Sequence, residues 1–529
     1  MNSEENNNKI VDEKKLIRFL KESKFSIIII ILFLLFAFGE RIISRSFSID
    51  TELYIYHFLQ NSSNVNWDWW NSLSRWGLVL INKIFDMYSF PIYAKNFVSV
   101  LIMFIYSIAF NYLFYINLKD KYKKNFVKLQ FIFPIIFLTN PIFAEQYNFL
   151  NQNIGIAIGI LTVPVSLILF DLAKESSLNK NKIFYYLVGI VIGTIGFGVY
   201  QSIILLYIVT VASCYLLKII KEGKNCWKDL IWQIVLFGIM IIIYEIISKL
   251  TGPKGQYLSI KWAQDGIVIC VRNIYYVIKD TIKCYGIFYN VGYPIAIIMV
   301  VILSIYIAKD KKIKLGVLLS TIAIVLSPFY IMLVTGVNQL YRTQFNYSYT
   351  TGFLMMITIV ILSSSSKDII KYFSYTAIIV SLVLAYRQSY TTANLFSTAD
   401  IMFEYDTTIA NKLMERIEEQ DWYDIDVDYK LIFIGKYIDI PDNAIVKGEI
   451  IGNSFFDFGI DDSIGVSYRA IAFLNVIGYN FKMPTMEEYN NARTNEQYNS
   501  MPNWPKDKSI KLINNDTIVV KLSETIKGE

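Results

Sequence analysis

The chain has 529 residues, 54% of them hydrophobic, with a mean hydropathy of +0.41. That balance excludes an ordinary soluble protein, and apolar segments of roughly 18 or more residues recur along the chain, the signature of bilayer-spanning helices. The net charge of +6 hides an asymmetry: from residue 396 onward 13 Lys and Arg stand against 23 Asp and Glu, a net of −10, while the preceding part carries +16. Two differently built regions share the chain.

Residues 1–24 form a basic tail ending in "KKLIRFLKESK". The first apolar run, Phe25 to Phe38, resembles a signal peptide, but "GERIISRS" follows it and offers no small-x-small cleavage site, so an uncleaved span is expected. Further apolar runs fall near 95–118, 127–140, 148–170, 183–198, 200–217, 229–249, 289–308, 315–334, 347–363 and 372–386, about eleven spans in all. The run at 127–140 is short and ends at "TNP", which fits a tilted span or a re-entrant pair with its successor. Cys270 and Cys284 lie fourteen apart on one expected helix, about 21 Å along its axis and too far for a disulfide.

Lysine placement sets the expected orientation. The tail, "KDKYKKNFVK" at 119–128, "KESSLNKNK" at 174–182, "KIIKEGKNCWK" at 218–228, "KDKKIK" at 309–314 and "KDIIK" at 367–371 all fall on one side as spans alternate. The positive-inside rule makes that side cytoplasmic. Three outer connections are then long, near 44–94, 250–288 and 335–347, and long loops tend to carry function. The acidic tail, 391–529, is expected outside as a small soluble α/β domain: a helix over "ADIMFEYDTTIANKLMERIEE", a strand at "KLIFIGKY", a helix near "SIGVSYRAIAFLNVIG" and a hairpin over "IKLINNDTIVVKLS". The fold class is thus an α-helical polytopic membrane protein with a small C-terminal extracytoplasmic domain.

The first outer loop opens with "SFSIDTELYIYH", where Asp50 and Glu52 precede His57, the only histidine. An extended chain puts both carboxylates on one side, whereas a helix diverges them by about 200°. Helix capping explains an acidic pair at a helix start, and in that case Tyr54 and His57 share the face of Asp50. The alternative is chemistry on a lipid-linked substrate. In "SLSRWGLVL", Arg75 beside Trp76 reads either as a headgroup anchor or as a guanidinium over a phosphate, with the indole stacked on a sugar or prenyl chain. The stretch "NPIFAEQYNFLNQN" crowds Glu145, Gln146, Asn148, Asn151, Gln152 and Asn153 at the start of a span, where polar groups are expensive unless they face a wet cavity or cap a helix. Tyr200 and Gln201 fall at the same expected depth. Arg342, Arg387, Lys254, Lys261 and Arg272 place positive charge on the outer side, individually as snorkelling residues, collectively as a counterpart to phosphate.

This constellation resembles the GT-C superfamily of polytopic glycosyltransferases. More closely, "SIDTELYIYHFLQ" followed by "LSRWGLVLINKIF", then "NPIFAEQYNF", "GVYQSII" and "EYDTTIANKLMERI", is similar to the bacterial type II glucosyltransferases that modify O-antigen and other cell-surface glycans. The resemblance implies a GT-C-like catalytic domain over 25–390 and transfer of a hexose, glucose above all, from a polyprenyl-phosphate donor to a cell-envelope glycan on the outer face of the cytoplasmic membrane. It maps the general base onto Asp50 first and Glu52 second. Some members carry adjacent aspartates there, whereas Thr51 separates Asp50 from Glu52 here, which leaves open the catalytic carboxylate and whether a metal is held.

Chemistry assigns the remaining roles. Transfer needs a base at the acceptor hydroxyl and positive charge at the departing phosphate. Arg342 or Arg387, then Arg75 and Lys254, are the phosphate-binding candidates. Trp76, His57, Tyr54, Glu145, Gln146, Asn148, Tyr200 and Gln201 are the substrate-binding candidates. Mg2+ or Mn2+ on Asp50 and Glu52 suits hard oxygen ligands, and no nucleotide or redox cofactor is expected. Expected partners are the lipid-linked donor, the glycan acceptor, membrane lipids, and a separate donor-synthesising transferase with a flippase; nucleic acid is not among them. The competing class is a transporter or flippase of lipid-linked sugars or another polar solute, although no internal repeat of the kind transporters often show is visible.

Overall fold

Helix Phe345–Ser363 contains no charged residue, and almost every side chain along it is buried. An apolar helix of that kind belongs at the centre of a bundle. In the computed structural model, which describes residues 15–60, 63–85, 91–252, 260–307, 313–437, 441, 446–459 and 464–524, it packs against Gly292–Ile307, Ile132–Leu138 and Ser202–Glu222. Edge-to-face rings fill one side of it: Tyr349 lies 5.4 Å from Phe133, and Phe353 5.1 Å from Phe114.

Among the described residues, nine helices are long and apolar enough to cross a membrane. Gly292–Ile307 is apolar but has only 16 residues. Outer helices such as Trp227–Thr251 turn Ile231, Ile234, Ile242 and Ile246 to the exterior, the arrangement expected where the surrounding solvent is lipid. The region of the run at 127–140, expected as a tilted span or a re-entrant pair with its successor, is a series of short helices. It breaks into Asp120–Leu129, Ile132–Leu138 and Pro141–Tyr147. Pro134 cannot donate to the carbonyl of Gln130 and its ring crowds that group, so the first helix stops there. Pro141 then opens the third helix, with Asn140 Oδ1 accepting from the Ile142 amide at 3.0 Å.

The chain divides into two compact units. The larger comprises Met1–Ile43, Trp67–Tyr147 and Gln152–Ala393 and holds the helical bundle. The smaller comprises Ser44–Asn66, Asn148–Asn151 and Asn394–Glu529, so the start of the first loop clusters with the C-terminal region. Helix Asp368–Glu418 runs unbroken for 51 residues through the boundary at Ala393, where the sequence suggested a span followed by a separate amphipathic helix. It contains neither Gly nor Pro, so nothing in it interrupts the hydrogen-bond ladder.

In the smaller unit, strands β1 (Lys430–Ile434), β2 (Ile510–Ile513) and β3 (Thr517–Lys521) form a sheet in the order β1-β3-β2. The β2–β3 hairpin is antiparallel and turns at "NND", with Asn514 at φ 53°, while β1 runs parallel to β3. Helix Met486–Thr494 starts in a capping box of Thr485 and Glu488, and Lys430 Nζ reaches Glu488 Oε1 at 2.6 Å. Phe47 from the first loop enters an aromatic cluster with Phe403, Phe455 and Phe473; Phe47 and Phe403 lie 4.9 Å apart, Phe455 and Phe473 4.4 Å. Ser44 and Ser46 both donate to Asp400 Oδ1 at 2.5 Å.

In the bundle, helix Trp76–Ile84 approaches Asn179–Val199 through Gly77, where a Cβ would meet the Ile195 carbonyl oxygen at 2.5 Å and the Gly198 carbonyl carbon at 2.7 Å. Backbone cannot yield as a flexible side chain can. Gly77→Ala is expected to destabilise by about 1–3 kcal/mol, the usual cost of overpacking. Gly39→Ala, where a Cβ meets nothing within 4 Å, should leave thermal unfolding in detergent unchanged.

Candidate active site

Asp50 stands at the N-cap position of helix Thr51–Leu59, yet its side chain makes no capping hydrogen bond. Its backbone sits in the left-handed region, at φ 74° and ψ −23°, which aspartate tolerates better than most residues. The carboxylate is engaged elsewhere: Arg469 Nη2 donates to Asp50 Oδ1 at 2.6 Å, and Arg469 Nη1 donates to Glu52 Oε1 at 2.6 Å. One guanidinium therefore bridges both acids, the forked recognition that arginine performs and a point charge cannot.

Arg469 occupies the first turn of helix Ser467–Val476, which packs against helix Thr51–Leu59. A cation there opposes the helix dipole, and the two carboxylates supply the compensation. The ring of Phe458 lies 5.3 Å from the guanidinium carbon. The acids are not equivalent. The Asp50 side chain is 43% exposed, whereas that of Glu52 is 0% exposed and that of Arg469 6%. Glu52 Oε2 and Arg469 Nε are buried without hydrogen-bond partners among the described residues. Burial pushes the Glu52 carboxyl up to about 7, with Arg469 pulling against it and the charge of Asp50 adding to it. Desolvation opposes the charge of Arg469, but the two carboxylates outweigh it and hold the guanidinium above its ordinary value.

Around this pair, His57 Nε2 lies 3.0 Å from the Tyr468 hydroxyl, and partial burial lowers the imidazole below its ordinary value. Tyr54 is buried on the same helix. Asn148 is buried too, its carbonyl accepting from Ser48 Oγ at 3.1 Å. Beneath them Asp406 accepts from Ser454 Oγ at 2.6 Å and from the Phe455 amide at 2.9 Å. It ties helix Asp368–Glu418 to the segment that carries Phe458.

The other candidates belong to the helical unit. Arg75 is buried, its guanidinium carbon 4.5 Å from the Tyr200 ring and 5.2 Å from that of Trp70, and Nη1 lies 3.5 Å from Gln152 Oε1. Gln201 Nε2 donates to the Leu73 carbonyl at 2.5 Å. Trp76, the candidate for stacking on a sugar or prenyl chain, is buried, and a Cβ on Gly198 would meet its ring at 2.5 Å. Glu145 and Gln146 are fully buried on helix Pro141–Tyr147, and the Gln146 amide has no partner among the described residues. Arg342 lies in the short turn Tyr341–Thr343, and Arg387 is exposed on helix Asp368–Glu418. Lys254 lies outside the described residues.

The expected Mg2+ or Mn2+ does not fit the acid pair as it stands. The guanidinium already bridges the two carboxylates, and among the described residues no group of three or more His, Cys, Asp or Glu comes together. A divalent ion about 4 Å from that guanidinium would meet repulsion on the order of 8 kcal/mol at an effective dielectric of 20.

A chain with nine helices, among the described residues, long and apolar enough to cross a membrane belongs with polytopic membrane proteins. The chain belongs to the Glucosyl transferase GtrII family, whose family model matches residues 40–359. Nothing among curated proteins or solved structures matches it. It is accordingly a membrane glycosyltransferase, working between a sugar donor and an acceptor. Asp50 and Glu52 fall inside the matched segment and Arg469 far beyond it. Sequence reading passed over Arg469; its one local signal was a lone arginine in the apolar run "SYRAIAFLNV".

Folded Glu52 keeps its proton toward 7, whereas an unfolded one releases it near 4.5. Its contribution to stability is complete below the lower value and is lost as the pH rises through the upper one. Glu52→Gln should flatten the pH dependence of thermal unfolding across that window; an unchanged profile would show that Glu52 does not titrate there.

Proposed function

We propose that this glucosyltransferase moves a hexose, glucose above all, from a polyprenyl-phosphate carrier to a cell-envelope glycan on the outer face of the cytoplasmic membrane, with Asp50 as general base. The observation that carries the reading is the difference between the two acids. Asp50 leaves its helix uncapped and keeps an accessible carboxylate, while Glu52 is sealed behind it. Only the former can meet an acceptor hydroxyl.

In the proposed step the acceptor hydroxyl gives its proton to Asp50 as its oxygen attacks the anomeric carbon. The bond from that carbon to the phosphate oxygen breaks, its electron pair leaves with the polyprenyl phosphate, and the configuration inverts. Arg342 and Arg387 remain the preferred cations for the departing phosphate, with Arg75 and Lys254 in reserve. The proposed orientation rests on the lysine-rich segments, which place the N-terminus in the cytoplasm and the acid pair with the C-terminal region outside. Transport is the weaker reading, because a transporter has no need of an accessible carboxylate backed by a buried, arginine-bridged partner.

The test is transfer in proteoliposomes supplied with a polyprenyl-phosphate glucose and a cell-envelope glycan. Asp50→Asn should lose about 10²–10⁴-fold in rate, the range of a general base, while the protein still folds with a lowered thermal melt, because Arg469 keeps only Glu52 as an ionic partner. Full activity in that variant would remove Asp50 from the role.

A further inference from the structure

We propose that Arg469 is the built-in cation of the acid pair, so that Asp50 and Glu52 work without a divalent metal and the region beyond the family match is part of the transferase site. Three observations carry this. The guanidinium is nearly enclosed, and it makes one 2.6 Å bond to each carboxylate. It comes from a helix whose first turn is the wrong place for an arginine unless carboxylates face it. And the position it fills is the one a hard cation would need, between an oxygen of Asp50 and an oxygen of Glu52.

The assignment explains features that a purely structural ion pair leaves aside. Asp50 gives up its cap and adopts a left-handed backbone in order to meet the guanidinium. Its carboxylate is thereby aimed with one oxygen on Arg469 and the side chain still accessible. Glu52 completes the fork and fixes the guanidinium plane. Arg469 is thus a positioning residue: it orients the carboxylate that would take the acceptor proton and keeps metal ions out. A lysine would offer both acids one compact ammonium and not the planar fork that fixes two carboxylates in a set geometry.

The role in transfer rests on the reading of Asp50 as the base; the occupancy by a protein cation does not, and the two are separable by experiment. Purified protein is stripped with EDTA and titrated with Mn2+, following free ion by electron paramagnetic resonance. Wild type should show no Mn2+ site that depends on Asp50. Arg469→Ala should bind Mn2+ at least tenfold more tightly than wild type, and Arg469→Ala/Asp50→Asn should lose that gain. In the transfer assay, wild type should keep its rate in EDTA. Arg469→Ala should fall about a hundredfold and recover in part with added guanidinium or Mn2+. Arg469→Lys, which keeps the charge if the alanine variant fails to fold, should fall about tenfold and stay insensitive to EDTA. A wild-type rate abolished by EDTA and restored by Mg2+, or Mn2+ binding to wild type that Asp50→Asn removes, would overturn the proposal. So would full activity in Arg469→Ala. Full activity in Asp50→Asn would instead overturn the reading of the base and leave the Mn2+ result to stand on its own.

Discussion

One guanidinium held between two carboxylates is the constraint on which the small unit depends. Taking such groups out of water costs several kcal/mol for each ion, and only close pairing offsets it. Here the pairing is local. Helices Thr51–Leu59 and Ser467–Val476 both begin at the pair, and each N-terminus contributes roughly half a positive charge. Together with the guanidinium they oppose the charge of Asp50 and whatever charge Glu52 carries once its raised carboxyl ionises. Losing either acid would leave the buried guanidinium with one partner, and losing Arg469 would leave Glu52 buried without a cation. The surroundings are correspondingly well tied, with Ser44 and Ser46 on Asp400, Phe47 in its aromatic cluster and Asp406 on Ser454 and Phe455. These contacts hold the loop after the first span in register with the C-terminal region.

Exposure then divides the work between two chemically similar acids. Glu52 is sealed, with one oxygen lacking a donor, and so gains affinity for a proton. Asp50 lies two residues earlier and remains open to solvent. The same cation touches both, so a proton on Glu52 strengthens the hold of Arg469 on Asp50 and its loss weakens it. The pair behaves as a unit with one sealed member and one member open to solvent.

Much of the bundle was legible because hydropathy over a span is a local property. Helix Phe345–Ser363, the β1 strand and the "NND" hairpin all follow from residues that are neighbours in the chain. The broken run at 127–140 was legible in principle, since Pro134 removes the hydrogen bond to the Gln130 carbonyl and favours a break there. The unbroken Asp368–Glu418 helix was obscured by a change of solvent along its length, from lipid-facing apolar residues to an amphipathic pattern, with no change in backbone conformation. The acid pair was legible as a pair and ambiguous as a site, because a cap and a catalytic carboxylate look alike in sequence. The carboxylate of Asp50 pairs with Arg469 and makes no cap hydrogen bond, and Arg469 stands 417 residues from Glu52. No spacing rule reaches across that separation.

That separation bears on where the enzyme ends. The family model stops at residue 359, and the acids it contains are completed by a residue it does not reach. A segment limited to the match would hold two carboxylates a few ångströms apart with no cation between them. Like charges so placed repel, and the accessible one would lose the guanidinium that orients it. The sheet and helices after residue 394 therefore need no substrate contact of their own to matter for transfer. Their packing places one arginine, and on the proposed reading that arginine orients the base.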